Sequence, residues 1–174
     1  MRPVEARIGL IYNRDVLKKL GINEDPQDLV KDKKWTFDKF REICKACTRD
    51  SDGDGKTDVY GINIALTELF GISMISANGS SLVKTVDGVT KENFTDQKAL
   101  SALNFVHELI NTDKTARYAG DGIHNQSEKE MIADFVAGGS AFYFCETWSI
   151  NQTLKPVAGD MNYGLLPLPM GPDA

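Results

Sequence analysis

The sequence predicts an α/β domain, a central sheet flanked by helices on both faces, and three observations carry that prediction. Short apolar runs rich in β-branched and aromatic residues, "RIGLIYN", "VYGINIA", "SAFYFC" and "MNYGLLPLP", read as buried strands. Between them lie stretches with helical apolar spacing and recognisable start and stop signals. Strands separated by helices place a sheet in the middle and helices over its two faces.

Each element has a local reason. "RIGLIYN" leads into a short helix, "DVLKKLG", that stops on Gly21, and Pro26 suits the first turn of a second short helix over "PQDLVKD". Thr36 caps "FDKFREICKACT", with Asp38 in the first turn to suit the helix dipole. "TELFGISMISANG" reads as a helix broken or kinked near Gly71 and stopped at Asn78-Gly79. "SSLVKTVDGVTKENF" reads as a hairpin turning at Asp87-Gly88. Thr95 is expected to cap the next helix, whose buried stripe is expected to be Leu100, Leu103, Val106 and Ile110, with His107 a surface or boundary residue and not a ligand. Residues 113–126 read as a loop, and Ser127 with Glu130 forms a capping box for "SEKEMIADFVAGG". "ETWSINQTLK" then turns into a short helix before the final strand.

Length and composition suit a single domain spanning 1–174 with a sizeable core: 174 residues, 41% hydrophobic and 26% charged. A net charge of -5 without a Lys/Arg-rich stripe argues against nucleic acid and anionic membrane surfaces as partners. No apolar run approaches the roughly 20 residues that span a bilayer. The start, "MRPVEARIGLIYN", lacks the layout of a secretion signal. The chain opens and closes on apolar strands with no element beyond either, which reads as a piece truncated at both ends.

One helix-to-strand connection, "DSDGDGKTDVYG" (50–61), concentrates carboxylates at alternate positions. Asp50, Asp52 and Asp54 at loop positions 1, 3 and 5, Gly55 at 6, the carbonyl of Lys56 at 7 and Asp58 at 9 reproduce a calcium-loop ladder. Magnesium fits less well, since it demands stricter octahedral geometry. Position 12, where a bidentate Glu belongs, is Gly61, so water, a bidentate Asp58 or another group must complete the shell. Because the loop joins helix to strand, it is expected to act as a structural staple. Three cysteines make no disulfide framework; Phe37, Phe40, Cys44 and Cys47 share one helical stripe, and Cys145 ends a strand, so all three thiols read as core.

The order "GLIYNRDVLKKLG", "KWTFDKFREIC", "ANGSSLV", "ALSALNFVHELIN", "DFVAGGSAFYFCETWSI", "MNYGLLPLPMGP" resembles the extracellular solute-binding proteins of carbohydrate ABC importers, the maltose-binding-protein-like family. The resemblance runs over nearly the whole chain. It implies a type II periplasmic-binding-protein-like lobe, with "RIGLIYN" entering and "MNYGLLPLP" leaving, and a ligand cleft shared with a second lobe. It further implies sugar or oligosaccharide binding for uptake through an importer permease. An extracellular or periplasmic location, with a lipoprotein anchor in the full-length parent, follows from the same likeness. The isolated lobe is expected to self-associate.

Trp148 is the first candidate for ligand contact. It follows a buried strand at its carboxyl end, where open α/β sheets bind ligands, and an indole face suits a pyranose C–H face. Glu146 can accept sugar hydroxyls. Glu68, Leu69 and Phe70 sit where the resemblance places a cleft-lining segment, and Glu5 and Arg7 lie at the entering strand, one residue out of register with the family's pattern. Trp35 reads as a packing residue. A glycosidase needs two carboxyls about the scissile bond, and only Glu146 is marked out. With His107 and His124 the only histidines, no Ser/His/Asp set is defined, so the reading is non-catalytic. The alternatives are a carbohydrate-active enzyme fragment and a calcium-stabilised interaction domain. A dockerin needs two such aspartate loops, and this chain has one.

Overall fold

The computed structural model describes residues 8–118 and 127–174. Strand β1 (Ile8–Asn13) is followed by helices α1 (Arg14–Lys19), α2 (Pro26–Lys31) and α3 (Phe37–Cys47). Next come β2 (Tyr60–Ile64), α4 (Thr67–Ala77), the hairpin β3 (Val83–Val86) and β4 (Val89–Glu92), and α5 (Gln97–His107), which runs on through a π-type turn, Glu108–Thr112. The last part holds β5 (Ala116–Tyr118), α6 (Glu128–Ala137) and β6 (Ser140–Glu146). A helical run of α7 (Thr147–Ser149), a π-type turn (Ile150–Leu154) and α8 (Lys155–Ala158) then leads to β7 (Tyr163–Leu166).

Local chemistry sets most boundaries. Helix α1 starts where the Asn13 side chain accepts the N–H groups of Asp15 and Val16, and α2 where Asp25 accepts that of Gln27 with Pro26 in the first turn. Thr36 caps α3 through the N–H of Lys39, and Ser127 and Glu130 form the reciprocal box on α6. Asp87 and Gly88, at φ 52° and 77°, supply the two left-handed residues that a two-residue hairpin turn requires.

The five-stranded sheet has the order β5-β2-β6-β1-β7. Strands β5, β2 and β6 are parallel, and β1 runs antiparallel to both β6 and β7. Alternation sends Leu10, Tyr12, Ile62, Ile64, Phe142 and Phe144 into a large core under α2–α5, while Ile11, Tyr143 and Cys145 face a smaller one under α6 and the 147–158 run. A sheet buried on both faces explains why β6 reads as an unbroken apolar run. In the larger core Phe142 meets Phe40 edge-on at 5.3 Å and Trp35 at 5.9 Å between ring centroids. Trp35 is a packing residue, buried with its indole N–H donating to the Pro167 carbonyl at 3.0 Å.

Four expectations are corrected. Helix α4 is continuous through Gly71. That residue is buried toward α5, where an added Cβ would rest 3.6 Å from Leu103, and packing of Phe70, Met74 and Ile75 overrides the weak propensity of glycine. The cap of α5 is Asp96, not Thr95: its carboxylate accepts the N–H groups of Lys98 and Ala99 and the hydroxyl of Ser80. The buried face of α5 and its extension is Ala99, Ala102, Phe105, Val106 and Leu109, leaving Leu100 and Leu103 each 43% exposed. Within 113–126, β5 adds an edge strand to β2, and residues 119–126, with His124, lie outside the described residues.

Candidate functional site

The carboxyl ends of β2 and β6 and the start of β1 meet at one edge of the sheet, since Ile64 pairs with Phe144 and Ile8 with Glu146. Beyond β6 the chain turns directly into helix. Ser149, Ile150, Leu154 and Ala158 anchor that run in the smaller core, and Trp148, 47% exposed, stands out from its first turn. The indole Nε1–H of Trp148 donates to Oε2 of Glu146 at 2.7 Å. Glu146 occupies the cap position of α7 yet makes no side-chain bond to the helix N–H groups.

Past β2, Ala65 and Leu66 lead to α4, whose first turn presents Glu68 to solvent with Leu69 half-buried. Phe70 requires a correction. It is fully buried with its ring edge on Phe144, centroids 5.0 Å apart, so it belongs to the core and offers no face to a ligand. Glu5 and Arg7 lie outside the described residues. The structure therefore brings Trp148 and Glu146 into contact, places Glu68 and Leu69 on the neighbouring connection and removes Phe70.

An apolar groove of about 550 Å³ opens at the same edge, lined among others by Ile8, Leu10, Cys145, Thr147, Ile150 and Leu165. A larger one of about 830 Å³ lies at the opposite end of the sheet between α1, α6 and the aspartate loop, away from Trp148. Size alone does not choose between the two; strand polarity makes the edge that carries Trp148 the candidate site. The thiols hold no nucleophile. Burial and then the Glu128 and Glu146 carboxylates push Cys145 up to about 12, burial pushes Cys47 up to about 12, and Cys44 is raised well above its ordinary value.

The aspartate loop folds on its own backbone, with Gly53 and Gly55 at φ 81° and 86°. Carboxylate oxygens of Asp50, Asp52 and Asp58 lie within 4.8 Å of one another. Asp50 accepts N–H bonds from Gly55 and Gly53, which hold its carboxyl below the usual range, and Asp58 accepts the N–H of Ser51. Asp54 stands apart from the three: it accepts the Lys56 N–H at 2.8 Å and lies 3.5 Å from Lys56 Nζ. In charge and spacing, three converging carboxylates suit a hard divalent cation such as calcium. Gly61 explains the missing twelfth ligand, because a Cβ there would sit 2.6 to 2.8 Å from Cys44 Cβ, Cα and carbonyl oxygen. Helix α3 leaves no room for a glutamate.

The sequence profile of the bacterial extracellular solute-binding proteins matches residues 2–174. The chain belongs to that family. No curated protein sequence matches it. Among solved structures, it is similar to UspC of M. tuberculosis at a TM-score of 0.71 and 24% identity, covering 97% of this chain and 42% of UspC. The maltose/maltodextrin-binding domain MalE of Bdellovibrio bacteriovorus, bound to maltotriose, gives 0.67 and 24%, covering 96% and 39%. An ABC transporter solute-binding protein of Thermotoga lettingae, bound with α-D-tagatose, gives 0.71 and 20%, covering 94% and 39%. These likenesses establish the fold as that of type II solute-binding proteins, and this chain spans about two fifths of their length.

Proposed function

We propose that the chain is one lobe of a two-lobe protein that binds a sugar or oligosaccharide outside the cytoplasm and delivers it to the permease of an ABC importer, catalysing no reaction. The observation that carries this reading is the indole of Trp148, half-exposed at the carboxyl end of β6 with Glu146 beside it. A flat apolar face at the end of a strand is a surface onto which a pyranose C–H face packs, and the family and the sugars held by two of its structural neighbours point the same way. Glu68 and Leu69 on the adjoining connection extend the surface. A parent protein would supply the second lobe and a lipoprotein anchor.

The aspartate loop is assigned the separate task of holding a structural calcium ion through Asp50, Asp52 and Asp58, with the Lys56 carbonyl and Asp54 completing the shell on binding. Its position between α3 and β2, against the larger groove and away from Trp148, supports a stabilising role over a part in ligand capture.

A glycan array followed by calorimetric titration tests the reading. Binding confined to one class of neutral glycans, and lost in Trp148→Ala, is expected. One lobe leaves the sugar open to water, so this chain should bind more weakly than a two-lobe parent. Equal affinity for both would refute the shared cleft, and cleavage of the bound glycan with time would refute the non-catalytic reading.

A further inference from the structure

A tryptophan on the first turn of a surface helix ordinarily keeps two free side-chain torsions. Here the backbone on either side is fixed, since Cys145, Ser149 and Ile150 are buried, and what remains undetermined is only where the indole points. Glu146 determines it. Its carboxylate forgoes the cap bonds open to it at the start of α7 and accepts the indole N–H at 2.7 Å, two residues along the chain. Glu146 is half-buried at the end of β6, paired in register with Ile8, so the acceptor itself stands on a sheet strand and not on a loop.

Resting on the reading of Trp148 as a sugar-contacting surface, we infer that Glu146 is a positioning residue. It holds the indole plane in one orientation before ligand arrives, and its effect on binding passes through Trp148, not through a contact of its own. The bond has a chemical consequence for the ligand. The indole N–H is already occupied, so Trp148 offers a stacking face without a donor and selects for the apolar C–H face of a ring over any particular hydroxyl pattern. The Trp148 subsite then recognises pyranoses by shape, and discrimination among them falls to other groups around the cleft.

The test uses the two indole N–H signals in the proton–nitrogen spectrum of the chain, with maltotriose as the probe. The Trp35 signal, buried and bonded to Pro167, is the internal control. Glu146→Ala should shift the Trp148 signal toward that of a free indole and leave Trp35 unmoved, and Glu146→Gln, which keeps an acceptor oxygen, should restore most of the wild-type shift. In titrations, Glu146→Ala should weaken maltotriose binding by about two- to tenfold, the range set by ordering one side chain on binding. The same change made on Trp148→Phe should cost nothing further. An equal loss in both backgrounds would overturn the inference, because Glu146 would then touch the sugar directly. An unmoved Trp148 signal in Glu146→Ala would also overturn it. If maltotriose at high concentration shifts no Trp148 signal in the wild-type chain, the reading of Trp148 as sugar surface fails first and takes the inference with it.

Discussion

Replacing Gly61 by alanine adds one methyl group where a strand passes close against the backbone of a helix. Gly61 lies in β2 beneath α3, and its new Cβ would fall 2.6 Å from Cys44 Cβ, 2.7 Å from Cys44 Cα and 2.8 Å from the Cys44 carbonyl oxygen. Two of those atoms are backbone, so no rotamer change relieves them and the helix must move off the sheet. Overpacking of this kind costs about 1–3 kcal/mol, and contact with backbone places Gly61→Ala near the upper end. For a chain of this size each kcal/mol lowers the melting temperature by roughly 2–4 °C, so about 3 kcal/mol corresponds to a fall of roughly 6–12 °C. Thermal melts followed by circular dichroism read it directly. Cys44→Ala in the same chain should give no rescue, because it removes only the sulfur and leaves the clashing atoms in place. A Gly61→Ala melt within a degree of wild type, or full rescue by Cys44→Ala, would refute the close approach. By the same geometry, Gly61→Glu should lower stability and fail to tighten calcium binding.

The remaining expectations concern charge and exposed surface. A calcium chelator should lower the melting temperature and added calcium restore it, with Asp50→Asn or Asp58→Asn abolishing the response more completely than Asp54→Asn; a melt indifferent to chelator would remove the calcium assignment. Hydrogen bonds from Arg41, then Lys45, hold the Asp113 carboxyl below its usual range, so its stabilising effect is present above the unfolded value of about 4 and lost as pH falls through the folded one. The melting difference between wild type and Asp113→Asn should therefore be constant at neutral pH and shrink below about pH 4; a difference that grows on acidification would contradict the sign. Acrylamide should quench wild-type emission in two components, and Trp148→Phe should leave only the protected emission of Trp35; a single unquenched component in wild type would place Trp148 in the core. Sedimentation should detect concentration-dependent association of the chain, weakened by Leu100→Lys with Leu103→Lys; a monomer at all concentrations would show that the exposed leucines do not promote it.

What was legible in the sequence is what short-range chemistry decides. The Asp87-Gly88 turn, the Ser127–Glu130 box, the Thr36 cap and the Pro26 start each depend on residues within one turn, and each lies where the residues place it. The choice between Thr95 and Asp96 could not be made locally, since both are good caps. Ser80, sixteen positions earlier, donates to Asp96. The buried face of α5 was hidden for a related reason. Leucines at 100 and 103 outrank alanines at 99 and 102 on any hydrophobic scale, yet the helix turns Ala99 and Ala102 inward with Phe105 and Val106, a phase that residue-by-residue hydrophobicity does not reveal. Strand β5, three residues including a charged Arg117, is too short for a period of two to show. At the site, the position of Trp148 followed from strand polarity. The bond to Glu146 did not, because a carboxylate at the end of a strand reads equally as a ligand for solvent, sugar or indole. Phe70 failed because an aromatic in the first turn of a helix looks the same whether it faces a cleft or, as here, Phe144.

The place of β1 in the sheet has a consequence for how the chain reaches its native state. Its two neighbours, β6 and β7, begin at Ser140 and Tyr163, so the first described strand is completed by nearly the last. At a synthesis rate of about 5–20 residues per second, "IGLIYN" waits on the order of ten seconds with both of its edges unpaired. Contacts this distant along the chain make folding slow, and an apolar six-residue segment without charge is a template for intermolecular pairing throughout that interval. A circular permutant that joins the ends and opens the chain in the exposed β3–β4 turn would bring β7 and β1 together early. It should fold faster and aggregate less than the natural order while keeping the same sheet.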